Sequence, residues 1–178
     1  MNKLLRHLFI RDKILVRESV MDRYSGVIEA LYRDAGITKR VPAPLDEIAK
    51  FLGYTVYDFR INKGNENVSG AVLYESNTIV LNPKESLKRR RFTLAHELGH
   101  IVLRHQAQGR SIDMRNDILA PARDSLEWDA NEFAAELLMP AEDFKQIWDL
   151  FHSDDMLASF FLTSHASVIV RKERLGLH

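Results

Sequence analysis

The stretch Phe92-Thr93-Leu94-Ala95-His96-Glu97-Leu98-Gly99-His100 constrains this chain more than any other. Leu94, Leu98, Ile101 and Val102 recur at i, i+4, i+7 and i+8, the period of a helix with one buried stripe. A helix advances about 100° per residue, so His96 and His100 share a face one turn apart and both imidazoles reach a single metal ion. Glu97 is rotated by about 100° from His96, which suits a base beside a metal better than a ligand. H-E-x-x-H on a helix is the pattern of zinc proteases, with two histidine ligands and a carboxylate general base. Gly99 costs about 1 kcal/mol against alanine in a helix interior. It lies on the histidine side, where it leaves room for a neighbouring backbone or a substrate. The plainer reading is a buried helix whose histidines hydrogen-bond within the core, and a third ligand from elsewhere in the chain separates the two.

Cysteine is absent from the 178 residues, so neither disulfides nor thiolate zinc sites are available. Any zinc must use histidine and carboxylate ligands. Lys+Arg and Asp+Glu are 25 each. That balance argues against nucleic-acid binding through bulk charge, though not through a local patch. The length suits one domain with a real core and a small appendage. Near the start, Leu8-Phe9-Ile10 is broken by Arg11, Asp12 and Lys13, and no small-residue cleavage site follows, so the segment does not read as a signal peptide. No stretch approaches the ~18 apolar residues of a membrane span. The expectation is a cytoplasmic protein without membrane contact.

Taken in order, residues 1–20 read as an arm or loose helix. Residues 19–35 read as a helix with Val20, Tyr24, Val27, Ile28 and Leu31 on one face, stopped by Gly36. Pro44 opens a second helix that buries Leu45, Ile48, Ala49 and Leu52 and ends at Gly53. Residues 54–61, 68–74 and 78–81 are rich in β-branched and aromatic residues and read as three strands of an antiparallel sheet, with a polar turn at 62–67. Pro83 then leads into the helix carrying His96. Residues 106–123 read as a mobile loop that covers the cleft. Helices follow at 125–138, 141–151, 154–162 and 165–175, the first stopped by Pro140 and the last by Gly176. The fold class is α+β, mostly helical, with a small three-stranded antiparallel sheet.

Four acids in Glu127-Trp128-Asp129-Ala130-Asn131-Glu132-Phe133-Ala134-Ala135-Glu136 compete for the role of third ligand. At about 100° per residue, Asp129, Glu132 and Glu136 form one stripe, read as the solvated face. Glu127 falls opposite, with Asn131, Ala134 and Leu138. A carboxylate on a buried face needs a partner. A metal supplies one, and so would an arginine. Asn131, one turn on, can take the other N–H of a ligand histidine. Ala134 and Ala135 are small enough to let the two helices approach.

The paired motifs Arg91-Phe92-Thr93-Leu94-Ala95-His96-Glu97-Leu98-Gly99-His100 and Glu127-x-x-Ala130-Asn131-x-Phe133-Ala134-Ala135-x-Leu137-Leu138-Met139-Pro140 closely resemble the ImmA/IrrE family of zinc metallopeptidases. Val68-Ser69-Gly70-Ala71 and Ile79-Val80-Leu81-Asn82-Pro83 are similar to its sheet. The resemblance implies a gluzincin-like fold with the sheet packed on the H-E-x-x-H helix. It implies His96, His100 and Glu127 as zinc ligands and Glu97 as catalytic base. The expected organisation is a metallopeptidase domain with N-terminal helices over 1–140 and a packed, helix-turn-helix-like helical extension over 141–178. The implied activity is zinc-dependent endopeptidase action on an intracellular transcriptional repressor of the helix-turn-helix type, which relieves repression. The rival is a regulatory module that sequesters a repressor or binds DNA with little catalysis.

Other segments bear on that choice. Residues 157–175 resemble a helix-turn-helix, with Ala158, Leu162, Ser164 and Val168 at its characteristic positions and Arg171, Lys172 and Arg174 in the second helix. Leu162 stands where a turn glycine is expected. Two helices completing the core is the plainer reading. Lys88-Arg89-Arg90-Arg91 reads as a solvated face, with Arg89 on the histidine side. His105, rotated by about 140° from His100, reads as a cap at the helix C-terminus. Tyr74, Arg110 and Arg115 are candidates to stabilise an oxyanion, and the edge of strand 68–74 is a candidate to bind extended peptide by strand addition.

Overall fold

The computed structural model describes residues 22–60, 66–105, 125–177 and the backbone of 112–115. The arm expected at 1–20, and the 62–65 part of the expected turn, lie outside the described residues. So do residues 106–111 and 116–123 of the expected loop.

Helices dominate. α1 (Asp22–Ala35) buries Tyr24, Ile28, Leu31 and Tyr32. It stops where Gly36 adopts φ +64°, and the amides of Gly36 and Ile37 turn back to the carbonyls of Arg33 and Tyr32. α2 (Leu45–Phe51) buries Leu45, Ile48 and Ala49 and ends at Gly53. α3 (Leu87–Val102) is capped by Ser86, whose hydroxyl accepts the Arg89 amide at 3.3 Å. α4 (Ser125–Leu138), α5 (Ala141–Phe151), α6 (Asp154–Phe160) and α7 (His165–Leu175) follow. Ser153 and Ser164 cap α6 and α7 by accepting the amides of Met156 and Ser167 at 3.4 and 3.1 Å. Leu162, in the turn between them, adopts φ +54°, the conformation that its position calls for.

The sheet departs from the expected antiparallel three-stranded one. It has four strands, β1 (Thr55–Asp58), β2 (Gly70–Leu73), β3 (Thr78–Leu81) and β4 (Ile112–Arg115), in the order β1-β3-β2-β4. β1 pairs with β3 in parallel, with Thr55 opposite Thr78, so the sheet is mixed. Sequence neighbours β1 and β2 do not pair. Only β2 and β3 are close enough for a tight reversal, the 3-10 turn Tyr74–Ser76 with Asn77 at φ +49°. β3 alternates, with Ile79 and Leu81 buried, and takes the central place. β4 arises within the stretch read as loop and pairs antiparallel with β2. The edge of β2 proposed for strand addition is therefore taken, and the outer strands of the sheet are β1 and β4.

β2 lies against α3. A Cβ on Gly70 would fall 2.5 Å from Thr93 Cγ2 and 3.0 Å from the Val80 carbonyl oxygen, so only glycine permits this approach. The basic run at the start of α3 is not a solvated face. Arg89 reaches Glu85 at 3.4 Å and the Ser69 hydroxyl at 3.1 Å, Arg90 pairs with Asp58, and Arg91 donates to the Ala43 carbonyl at 3.1 Å. These contacts tie α3 to the sheet and to the start of α2.

The stripe of acids on α4 is not a solvated face either. Asp129 accepts the Tyr24 hydroxyl of α1 at 2.6 Å. Glu136 is buried against Arg171 of α7, whose Nε also donates to the Met139 carbonyl at 3.0 Å. Arg174 reaches Glu132 at 3.1 Å and lies over the Trp128 ring. Lys172 reaches Asp154 at 2.9 Å and sits over Trp148. The helical wheel gave the stripe its direction, but not the helices that cover it. α5, α6 and α7 join the same core through Phe144, Leu157, Phe161 and Val168, with Phe144 and Phe161 stacked at 5.6 Å.

Burial pushes the Tyr32 phenol up to about 12, while Arg40 and Arg91 pull it down and Glu47 adds to the rise. The folded value lies above the ordinary 10.0, so the contribution of this residue to stability is complete below that value and is lost as pH rises through the folded one. Alkaline unfolding followed by circular dichroism should therefore begin as tyrosinate forms, and Tyr32→Phe should move the onset to higher pH.

Candidate metal centre

The site is built where α3 and α4 touch. Gly99 makes the contact: a Cβ there would lie 3.2 Å from Ala130 Cα, 3.2 Å from the Ala130 carbonyl oxygen and 3.2 Å from Phe133 Cδ1. The room at Gly99 is thus filled by the backbone of α4. At Ala130, Phe133 and Ala134 α4 is fully buried, and Glu127, one turn earlier, faces the histidines of α3.

Three donor groups converge. His96 Nε2 is 3.1 Å from Glu127 Oε2, His100 Nε2 is 3.5 Å from Glu127 Oε1, and the two Nε2 atoms are 2.9 Å apart. Zinc bonds of about 2.0–2.1 Å in a tetrahedron place donors roughly 3.3 Å from one another. The observed separations bracket that distance, so the residues fit a zinc-sized ion. Among the described residues, His96, His100 and Glu127 form the group able to hold a metal. His96 and His100 are buried, and the Glu127 side chain is 17% exposed.

Burial alone would raise the Glu127 carboxyl. Hydrogen bonds from His100 and His96, and their charge when protonated, outweigh burial and hold it well below the usual carboxylate range. Glu127 is therefore an anion, the form that ligates a cation. Glu97 is also buried, beside His96 on α3. Asn131 Oδ1 lies 3.0 Å from His96 Nδ1. In that position Asn131 can accept a proton from Nδ1 and so free Nε2 for a metal.

His105 is not the helix cap expected from the wheel. After Leu103, Arg104 adopts φ +58° and the chain folds back, so the wheel no longer applies. His105 is buried, and its Nδ1 is 2.6 Å from His100 Nδ1. No spacing rule within the helix signals this contact. Of the oxyanion candidates, Tyr74 is buried in the turn after β2, Arg110 lies outside the described residues, and only the backbone of Arg115 is described.

A family model for peptidase M78, the IrrE N-terminal-like domain, matches residues 52–172. The chain belongs to this family. No curated protein sequence matches it. Among solved structures, a Mycobacterium tuberculosis transcriptional regulator shares the fold, with a TM-score of 0.61 and 15% identity over 94% of this chain and 49% of the other. The M78 chain thus spans about half the length of that regulator. No helix among its described residues is long and apolar enough to cross a membrane.

Two substitutions probe the assembly of the centre. Glu127→Ala should abolish most zinc binding, measured as metal per chain after dialysis, whereas Glu132→Ala should retain it. Gly99→Val should push α4 off α3, destabilise the protein by about 1–3 kcal/mol as overpacked cores do, and weaken zinc binding measured by chelator competition.

Proposed function

We propose that this chain is a zinc-dependent endopeptidase that cuts a helix-turn-helix transcriptional repressor in the cytoplasm and so relieves repression. The convergence of His96, His100 and Glu127, with buried Glu97 on the same helix as the histidines, carries the reading. Membership of a peptidase family supports it. A transcriptional regulator of the same fold fits a regulatory setting.

In this reading His96, His100 and Glu127 hold the zinc, and Asn131 orients His96. Zinc, when bound, supplies a Lewis acid that acidifies water and polarises the peptide carbonyl. Glu97 accepts the proton of the attacking water on its carboxylate and returns it to the departing amine nitrogen. Residues 1–140 make the peptidase domain, of gluzincin-like packing, and 141–178 a helical extension packed on it. A folded repressor offers mostly helix, so the cut falls in a linker or a locally unfolded segment.

The rival reading as a DNA-binding module needs basic side chains on α7. Arg171, Lys172 and Arg174 are instead paired with Glu136, Asp154 and Glu132. That pairing favours a structural role for the helix pair.

Glu97→Gln keeps the shape of the side chain but cannot take a proton. It should retain zinc and lose cleavage by about a hundredfold or more, measured by incubating zinc-loaded protein with the helix-turn-helix repressor encoded in the adjacent gene and mapping fragments by mass spectrometry. A tight complex without a cut, in the wild type and the variant alike, would replace the peptidase by a sequestering module.

A further inference from the structure

We propose that His105 is a positioning residue of the metal centre: its Nδ1 accepts the Nδ1–H of His100 and so fixes the tautomer and ring plane in which His100 presents Nε2 to the metal. The proposal rests on the metal-centre reading above and extends it to a residue outside the H-E-x-x-H motif.

A neutral imidazole has one protonated nitrogen and one lone pair. His100 Nε2 faces Glu127 and His96 Nε2, so ligation there requires the proton on Nδ1. His100 is fully buried, so that N–H needs a protein acceptor, because a buried donor without one is strongly disfavoured. His105 Nδ1, at 2.6 Å, is that acceptor. Two imidazole nitrogens at this distance can hydrogen-bond with one donating and one accepting, and ligation through His100 Nε2 decides which ring donates. His105 is then the Nε2–H tautomer.

The backbone is committed to this contact. The helix ends with the Leu103 amide on the Gly99 carbonyl at 2.9 Å and the Arg104 amide on the Ile101 carbonyl at 3.2 Å. Arg104 takes the left-handed conformation that non-glycine residues avoid. The reversal drives His105, 1% exposed, beneath the ring of His100, with centroids 4.7 Å apart and planes at 74°. His96 is held in the same manner from another element, by Asn131 Oδ1 at 3.0 Å on its Nδ1. Both histidine ligands are thus gripped on Nδ1 and aimed with Nε2, one by a side chain of α4 and the other by the turn after α3.

The test compares His105→Leu, which keeps bulk but has no acceptor, with His105→Asn, whose amide oxygen can replace Nδ1. The readouts are zinc affinity by chelator competition, the visible spectrum of the cobalt-substituted protein, and the ring protonation of His100 by nitrogen-15 NMR of the zinc-loaded wild type. His105→Leu should lose zinc affinity by about 10–100-fold, the usual effect of removing such a partner, and should change the cobalt spectrum. His105→Asn should recover most of both. In the wild type, His100 should carry a slowly exchanging proton on Nδ1. Wild-type zinc affinity and cobalt spectrum in His105→Leu would overturn the proposal and leave the metal centre standing, whereas a proton on His100 Nε2 in the zinc-loaded wild type would overturn both. A wild type that binds no zinc would overturn both. If His105→Leu does not fold, the nitrogen-15 coupling across the His100 Nδ1–H···Nδ1 His105 hydrogen bond in the zinc-loaded wild type decides, and its absence would overturn the proposal.

Discussion

The convergence of His96, His100 and Glu127 depends on the close approach of α3 and α4 at Gly99 and Ala130. The backbone of α3 meets that of α4 there beside the Phe133 ring, and a single added carbon would meet three atoms at 3.2 Å. That proximity places a carboxylate from one helix within 3.1–3.5 Å of two imidazoles from the other. Glycine costs helix stability at this position, and the contact it permits joins the two halves of the candidate metal centre.

The remaining architecture holds that contact in place from outside. On one side Gly70 lets β2 seat on α3, and Arg89, Arg90 and Arg91 fasten the start of α3 to the sheet and to α2. On the other side α4 is gripped by Tyr24 of α1 through Asp129 and by Arg171 of α7 through Glu136. The acids of α4 divide accordingly. Asp129, Glu132 and Glu136 fix the helix, and Glu127 faces the metal centre. A buried ion pair such as Glu136–Arg171 adds little net stability against an apolar pair of the same shape, but breaking it strands a charge. It therefore fixes which way α4 faces more than how tightly it packs.

Much of this was legible in the sequence where the signal was local. The spacing of His96 and His100 needs only a helix, and the face of Glu127 needs only a second one. The limits of α4, α5 and α7 follow from Pro140, Ser164 and Gly176. What escaped was set by partners distant in sequence. β1 pairs with β3 rather than with its neighbour β2, and β4 closes the edge of β2 from within a stretch that reads as loop. The wheel placed Glu136 on a face without showing the arginine that covers it. His105 escaped for a further reason: periodicity ends with the helix, and the left-handed turn at Arg104 sends the next residue inward, where a continued wheel would not. A histidine a few residues past an H-E-x-x-H helix is a signal worth following into the core when a turn intervenes.

Two imidazoles and one carboxylate are the group among the described residues able to hold the metal. X-ray absorption spectroscopy at the zinc edge of the loaded protein tests this assignment most directly. Two imidazole nitrogens and oxygen donors are expected at tetrahedral zinc distances, with one imidazole contribution lost in His100→Ala and none lost in His105→Leu. Three imidazoles around the zinc, or a zinc site with no imidazole signature, would contradict it.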